Sequence, residues 1–454
     1  MKKSVFSLIC LFFSVLVLSA SPDRVRMISI GLDYANSPAA DEMMLYGTTN
    51  DAYQMAAAVK NVMEAKGVEF ENIMMVQEGS GDYYIEITVY SPSDVMSLVG
   101  DVENILIRLN PDSTEGMEYE LDANTYFIRD RVTEAEALND IYDALSDLDT
   151  GDGDVYFDFF DIKDTPTYPS ADNILSQILL CSDLDYDDLL IVYYSGHGGS
   201  ENAFTVLDME ALLQPFVDDG RLTEREKNAV LDLDVIIYST VVDRLISLDV
   251  DTDTIYEVGE AMDDSSENYK TGVLATAYTA ENYYSDCSSL EMYMVFAALS
   301  YLKCDSVLIL DACYSGYAAD NLSEYIDEAD YGHAVNVAVM SASSMDEESE
   351  EYAVENEDGE YESHGAFTLQ VLYHLGWELS STETTTLMVP FYTIDSYGSV
   401  TDIGIEKEVN GYTYFIPERQ TASEFFSSVM EDWDASDGQH PQSGESNYIL
   451  YFIP

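Results

Sequence analysis

The stretch LLIVYYSGHGGS, Leu189 to Ser200, begins as an apolar run and ends in a histidine set among glycines. Such a run, with almost no polar alternation, reads as a strand buried on both faces, the kind found in parallel sheets covered by helices. In open parallel sheets ligands bind beyond the carboxyl ends of the strands. His197, one of five histidines in 454 residues, stands two residues past such an end.

Five further runs share this character: RMISIGL (26–32), NIMMVQ (72–77), SVLILDA (306–312), AVNVAVMSAS (334–343) and NYILYFI (447–453). Helical patterns lie between them. NDAYQMAAAVKNVMEAKG starts on an Asn50-Asp51 cap and stops at Gly67, and SLEMYMVFAALSYLKC, GAFTLQVLYHLGW and TASEFFSSVMED follow. Strands alternating with helices predict an α/β fold, a mainly parallel sheet of about six strands with helices on both faces. Two acidic stretches, about 79–164 and 201–286, are too long for bare loops and are expected to be insertions with structure of their own. A third, about 380–418, contains EKEVNGYTYFIPE, whose Asn-Gly between alternating residues signals a β-hairpin.

The chain opens MKKSVFSLICLFFSVLVLSAS: two lysines, an apolar run, then small residues. This is the pattern of an export signal cut near Ala20, so residues 1–20 are expected to be a signal peptide and the remainder a periplasmic or extracellular protein. The alternative is a retained anchor. With 18 Lys+Arg against 87 Asp+Glu, the formal charge of -69 argues against nucleic acid or an anionic membrane surface as partner, and suits basic protein substrates or divalent cations. Cys181, Cys287, Cys304 and Cys313 lack zinc-site spacing and are too few for a disulfide scaffold.

SVLILDACYSGYAAD places Cys313 just past a second strand end, with Gly316 soon after it, as Gly198 follows His197. If these two strands are neighbours, a thiol and an imidazole meet at one edge of the sheet. Such a pair is a nucleophile with its base: the imidazole favours the thiolate, the thiolate attacks a carbonyl, and the ring protonates the leaving amine. Glycine lets the backbone approach a substrate closely, so the amides of Gly198 and Cys313 are candidates for an oxyanion hole. His333, His364, His374 and His440 lack a partner cysteine and read as structural or surface residues.

YYSGHGGS together with LILDACYSG resembles the caspase-like cysteine peptidases, the metacaspases and their bacterial relatives more than the animal caspases. RMISIGLDYANSP is similar to the family's first strand, LYGTTNDAYQMAAAV to its helix start, VAVMSASSMDEESEEY and HGAFTLQVLYHL to the strand and helix after the cysteine, and HPQSG to its closing segment. The resemblance implies a three-layer caspase-type sandwich spanning 21–454, with base His197 and nucleophile Cys313. Tyr314 stands where many metacaspases have a second histidine.

It also implies a pocket for the residue before the scissile bond, lined by Asp51, Ser195 and Asp311, with Thr48 where the family often has cysteine. Two carboxylates in a partly desolvated pocket call for a cation, so cleavage after Arg or Lys is expected. The chemistry needs no cofactor, although calcium activates many metacaspases through aspartates. Asp320, seven residues after the nucleophile, corresponds to one of these, and Asp208, Asp218 and Asp219 are candidates for others. DVDTDTIYEVGE (249–260) separately carries oxygen ligands at the first, third, fifth and twelfth positions of a calcium loop, but has Thr254 where glycine is required. Family members often cut themselves between the two motifs, where DDGRLTEREKNAV gathers Arg221, Arg225 and Lys227.

The expected partners are basic protein or peptide substrates, with no nucleic acid, no membrane after signal removal, and a monomeric state. The competing readings are a catalytically silent caspase-like module that binds basic peptides, and a gingipain-like or legumain-like peptidase of different specificity.

Overall fold

Five of the six apolar runs lie side by side in one sheet. Its strand order is Gln442–Glu445, Val337–Ser341, Asp305–Asp311, Leu189–Ser195, Arg24–Leu32, Glu69–Gln77. Every adjacent pair is parallel except the first, in which Gln442–Glu445 runs antiparallel to Val337–Ser341. The computed structural model describes residues 22–453 apart from 38, 80–82, 94, 111–116, 123, 133–136, 152, 234–235, 264–268, 278–287, 329–335, 356–360, 378–388, 395–399, 410–411, 418–419, 432, 434–438 and 447–449. The expected signal peptide, Cys287 and His333 therefore lie outside the described residues.

The sixth strand differs from expectation. Tyr451–Ile453 leaves the sheet to pair with Gln420–Thr421, and the sheet edge is taken by Gln442–Glu445. The sequence QSGE is polar, with alternating half-buried and exposed residues, because an edge strand needs little apolar surface. Hydrophobic periodicity therefore does not reveal it.

Alternating side chains divide the sheet's burial between two layers. On one face Ile28, Ile30, Leu190, Val192, Leu308 and Leu310 pack against helices Ala171–Leu180 and Met292–Ser300. On the other, Val25, Met27, Ile191 and Ile309 pack against Thr48–Ala65, Ala366–His374 and Ala422–Glu431. The three-layer α/β sandwich follows from these two cores. The helix Thr48–Ala65 starts earlier than its sequence suggests: Gly47 is its N-cap, which moves Asn50 and Asp51 into the first turn. It still ends before Gly67, whose φ is 72°.

Both long acidic stretches carry their own cores. Between residues 83 and 161 a four-stranded antiparallel sheet, ordered Met117–Asp122, Thr125–Val132, Tyr83–Tyr90, Asp154–Asp161, packs on helices Val95–Leu109 and Ala137–Ser146. This βαββαβ order is the ferredoxin-like arrangement. Between 206 and 263 four helices, Val206–Asp218, Glu224–Leu231, Tyr238–Ser247 and Thr252–Asp263, enclose another core. Strand Gly198–Ala203 leads into this bundle and Tyr269–Thr276 returns from it, the two pairing antiparallel.

The expected hairpin forms between Val400–Val409 and Tyr412–Pro417, its Asn410-Gly411 turn lying outside the described residues. The candidate calcium loop 249–260 is a helix from Thr252 onward, and Asp251 accepts hydrogen bonds from the Thr254 amide and hydroxyl at its start. Asp251 serves that turn, so no glycine-centred loop exists there. Among the described residues no helix is long and apolar enough to cross a membrane.

Candidate active site

The strands bearing the two motifs are direct neighbours, with Ser195 opposite Asp311 in parallel register. Each motif residue lies two positions further on, so one register places both at the same carboxyl-terminal edge. Gly196 continues the pairing by donating its amide to the Asp311 carbonyl at 3.2 Å. At Gly198 the backbones come so close that a Cβ would collide with the Cys313 carbonyl oxygen. This close approach is the physical need behind that glycine.

His197 and Cys313 line one cleft of about 390 Å³, together with Thr48, Ser195, Gly198 and Asp311. The imidazole Nε2 lies 2.7 Å from the carbonyl oxygen of Met43. A carbonyl can only accept, so Nε2 is the donor here, and in the neutral ring Nδ1 is the nitrogen left to act as a base. Met43 ends a one-turn helix, Ala40–Met43, and the last carbonyls of a helix have no partner within it. Sequence reasoning missed this orienting group because a backbone carbonyl leaves no signature.

The Ala275 amide donates to the His197 carbonyl at 3.0 Å. Hydrogen-bonded positions alternate along an antiparallel pair, so the Gly198 N–H points away from strand Tyr269–Thr276. An oxyanion donor has to be left out of the strand ladder in this way. Tyr314, directly after the nucleophile, has a φ of 57°, a left-handed conformation uncommon for a non-glycine residue. Its amide is anchored to the Glu347 carbonyl at 2.8 Å.

The segment after strand Val337–Ser341 folds over the thiol. The Ser349 amide donates to Cys313 Sγ at 3.3 Å, and its hydroxyl donates to Asp311 Oδ1 at 2.7 Å. Gln439 and His440, from the closing segment, hold this loop: Gln439 accepts from the Glu350 amide at 3.2 Å, and His440 Nδ1 meets Glu347 Oε1 at 2.7 Å. Glu348, Glu350 and Glu351 also line the cleft. The run DEESEEY following a strand end was the available signal for these residues. Burial pushes the Cys313 thiol above its ordinary range; the Ser349 amide opposes this, while Glu348 and Asp311 add to it.

The two expected pocket carboxylates are differently placed. Asp311, 4% exposed, lies on the cleft floor and accepts from the Thr368 amide at 2.8 Å and hydroxyl at 2.7 Å. Asp51 lies beneath, fully buried, bonded to His364 Nδ1 at 2.6 Å, the Gly365 amide at 2.8 Å and the Ser195 hydroxyl at 3.4 Å. Burial pushes Asp51 up to about 6 against the pull of the His364 hydrogen bond. Burial alone would lower the pKa of His364, but the hydrogen bond to Asp51 and the charges of Asp51 and Glu362 favour its charged form and raise it. His364, read from sequence as one of several structural or surface residues, is thus the buried ionic partner of Asp51. Thr48 is held by its hydroxyl to the Leu32 carbonyl at 2.5 Å.

The remaining candidates lie apart from the cleft. Asp320 is exposed at the end of a short helix. Asp208 bonds Thr205, Asp218 accepts from Gln214 and Asp219 pairs with Arg221. Among the described residues no three His, Cys, Asp or Glu side chains converge to hold an ion. In the basic segment, Arg221 pairs with Glu257 and covers the Phe216 ring, and Lys227 is buried between Gln214 and Glu224. Cys181 and Cys304 are free, buried thiols, and burial pushes Cys304 up to about 12. No family model matches the chain, and no curated protein matches it.

Proposed function

We propose that this chain is an exported cysteine endopeptidase of caspase-like type, cleaving after Arg or Lys. The observation that carries the reading is the shared cleft of His197 and Cys313, in which the Met43 carbonyl engages Nε2 and leaves Nδ1 as the nitrogen available to act as a base.

On this reading His197 Nδ1 takes the thiol proton as Sγ attacks the substrate carbonyl. The oxyanion is received by the amides of Gly198 and Cys313. The C–N bond breaks as His197 returns the proton to the leaving amine, giving a thioester on Cys313. Water, deprotonated by His197, then hydrolyses that thioester and restores the thiol. No cofactor is needed.

The preference for a cation is supported by Asp311 on the cleft floor and by Glu348, Glu350 and Glu351 on its walls. Because His364 already partners Asp51, the expected specificity rests on Asp311 and these glutamates. The test is hydrolysis of matched fluorogenic peptides ending in Arg, Lys, Asp or Asn, with and without millimolar calcium, by wild type and Cys313→Ala. Cleavage after Arg or Lys that disappears in the variant supports the reading. Preference for Asn would favour a legumain-like enzyme, and silence on all four a module that binds basic peptides.

A further inference from the structure

His197 is gripped through its backbone as well as its ring. Its amide donates to the Tyr34 hydroxyl at 2.9 Å, and the Tyr194 hydroxyl lies 2.7 Å from its carbonyl. The two hydroxyls are 3.0 Å apart, and both reach the Ala275 carbonyl, Tyr34 at 2.8 Å and Tyr194 at 2.5 Å. Both tyrosines are essentially inaccessible to solvent. Two buried hydroxyls thus meet the His197 and Ala275 carbonyls and each other. Such a buried chain of hydrogen bonds is strengthened by mutual polarisation and is costly to leave half-made.

The backbone is shaped to bring Tyr34 there. Its φ is 57°, a conformation that costs a non-glycine residue on the order of 1 kcal/mol. In return its ring lies 4.9 Å from the imidazole, centroid to centroid. At Gly196, a Cβ would stand 2.6 Å from the Tyr34 hydroxyl and 2.7 Å from that of Tyr194. The glycine before His197 therefore makes room for this pair. The loop that follows strand Arg24–Leu32 holds the base from two sides, through the Tyr34 hydroxyl on its amide and the Met43 carbonyl on its ring.

We infer that Tyr34 and Tyr194 are positioning residues for the base, fixing the backbone of His197 so that its imidazole faces Cys313. The inference rests on the proposed peptidase reading. Neither tyrosine lines the cleft, so neither touches substrate. Their loss acts on the rate of the chemical step and spares binding.

The experiment compares Tyr34→Phe, Tyr194→Phe and Gly196→Ala with wild type and with His197→Ala in the full mature chain. Three quantities are read: kcat and KM on an Arg-ending fluorogenic peptide, the rate at which iodoacetamide alkylates Cys313 by mass spectrometry, and the unfolding midpoint. Misplacing a catalytic group by an ångström costs on the order of 100-fold. The expected result is a kcat lowered about 10- to 100-fold and slower alkylation of Cys313 in all three, with KM within about twofold for the variants of the two tyrosines, which do not line the cleft as Gly196 does, in proteins that still unfold cooperatively. Gly196→Ala disturbs the same hydroxyls from the opposite side, so it reports even if a phenylalanine variant folds poorly. If His197→Ala is inactive while all three variants keep wild-type kcat and alkylation, the inference is overturned and the peptidase reading stands. If His197→Ala itself changes neither quantity, the peptidase reading fails and takes the inference with it.

Discussion

Asp51 and His364, 313 positions apart in sequence, meet at 2.6 Å with both side chains fully buried. The carboxyl buried beneath the cleft thus finds its partner within the protein, in an imidazole whose charged form it favours. Glu362 stands 3.6 Å from the other imidazole nitrogen, so a proton on His364 is favoured from two sides.

Removing that cation leaves a buried, uncompensated carboxylate. His364→Ala is expected to cost about 3–5 kcal/mol of stability near neutral pH. Denaturant unfolding of His364→Ala, alone and combined with Asp51→Asn, checks this at pH 7; if Asp51→Asn recovers none of the deficit, Asp51 is not the charge left behind.

A single β-carbon at Gly198 would strike the Cys313 carbonyl. Gly198→Ala is expected to displace both the oxyanion amide and the nucleophile, lowering kcat by about 100-fold or more. Steady-state kinetics on an Arg-ending peptide, with the folded fraction taken from the unfolding curve, measures this.

Glu348 lies in the cleft and adds to the raised pKa of the Cys313 thiol, after burial. Glu348→Gln should therefore move the pH midpoint of Cys313 alkylation downward. It should also raise KM for Arg-ending peptides, because a cleft carboxylate has gone. Alkylation rates across pH, mapped to Cys313 by mass spectrometry, give the first result.

Glu291, 6% exposed, accepts from the Thr271 hydroxyl at 2.6 Å, and burial pushes its pKa from 4.5 up to about 7. Its protonated form stabilises the fold fully below about pH 4.5, and that contribution fades as pH rises through about 7. Glu291→Gln keeps an acceptor for Thr271 and removes the titration. At pH 8 the variant should be more stable than wild type by on the order of 3 kcal/mol, with little difference at pH 4. Unfolding curves at both values decide it.

Much of this was legible because physics repeats itself in particular strands. Leu189–Ser195 and Asp305–Asp311 are buried on both faces, so their side chains had to be apolar, and the chemistry had to follow their ends. Gln442–Glu445 was hidden because an edge strand has no such need. The strands of the ferredoxin-like module are harder to see in the sequence, since exposed Tyr156 and Phe160 blur the polar-outward alternation of DVYFDFFD. The Asp51–His364 pair joins residues from the first turn of a helix and a distant hairpin strand, and nothing local announces that contact. Met43, Tyr34 and Tyr194 act through a carbonyl and two hydroxyls of ordinary-looking residues.

The central claim is that Cys313, served by His197, is the nucleophile of a cleft that accepts a basic side chain. The most direct test is labelling with an acyloxymethyl ketone carrying Arg next to the reactive carbonyl, with the modified residue identified by mass spectrometry. The account predicts one label per chain, on Cys313, lost in His197→Ala and suppressed by an excess of an Arg-ending peptide. Absence of label on Cys313, or labelling that His197→Ala leaves unchanged, would contradict it.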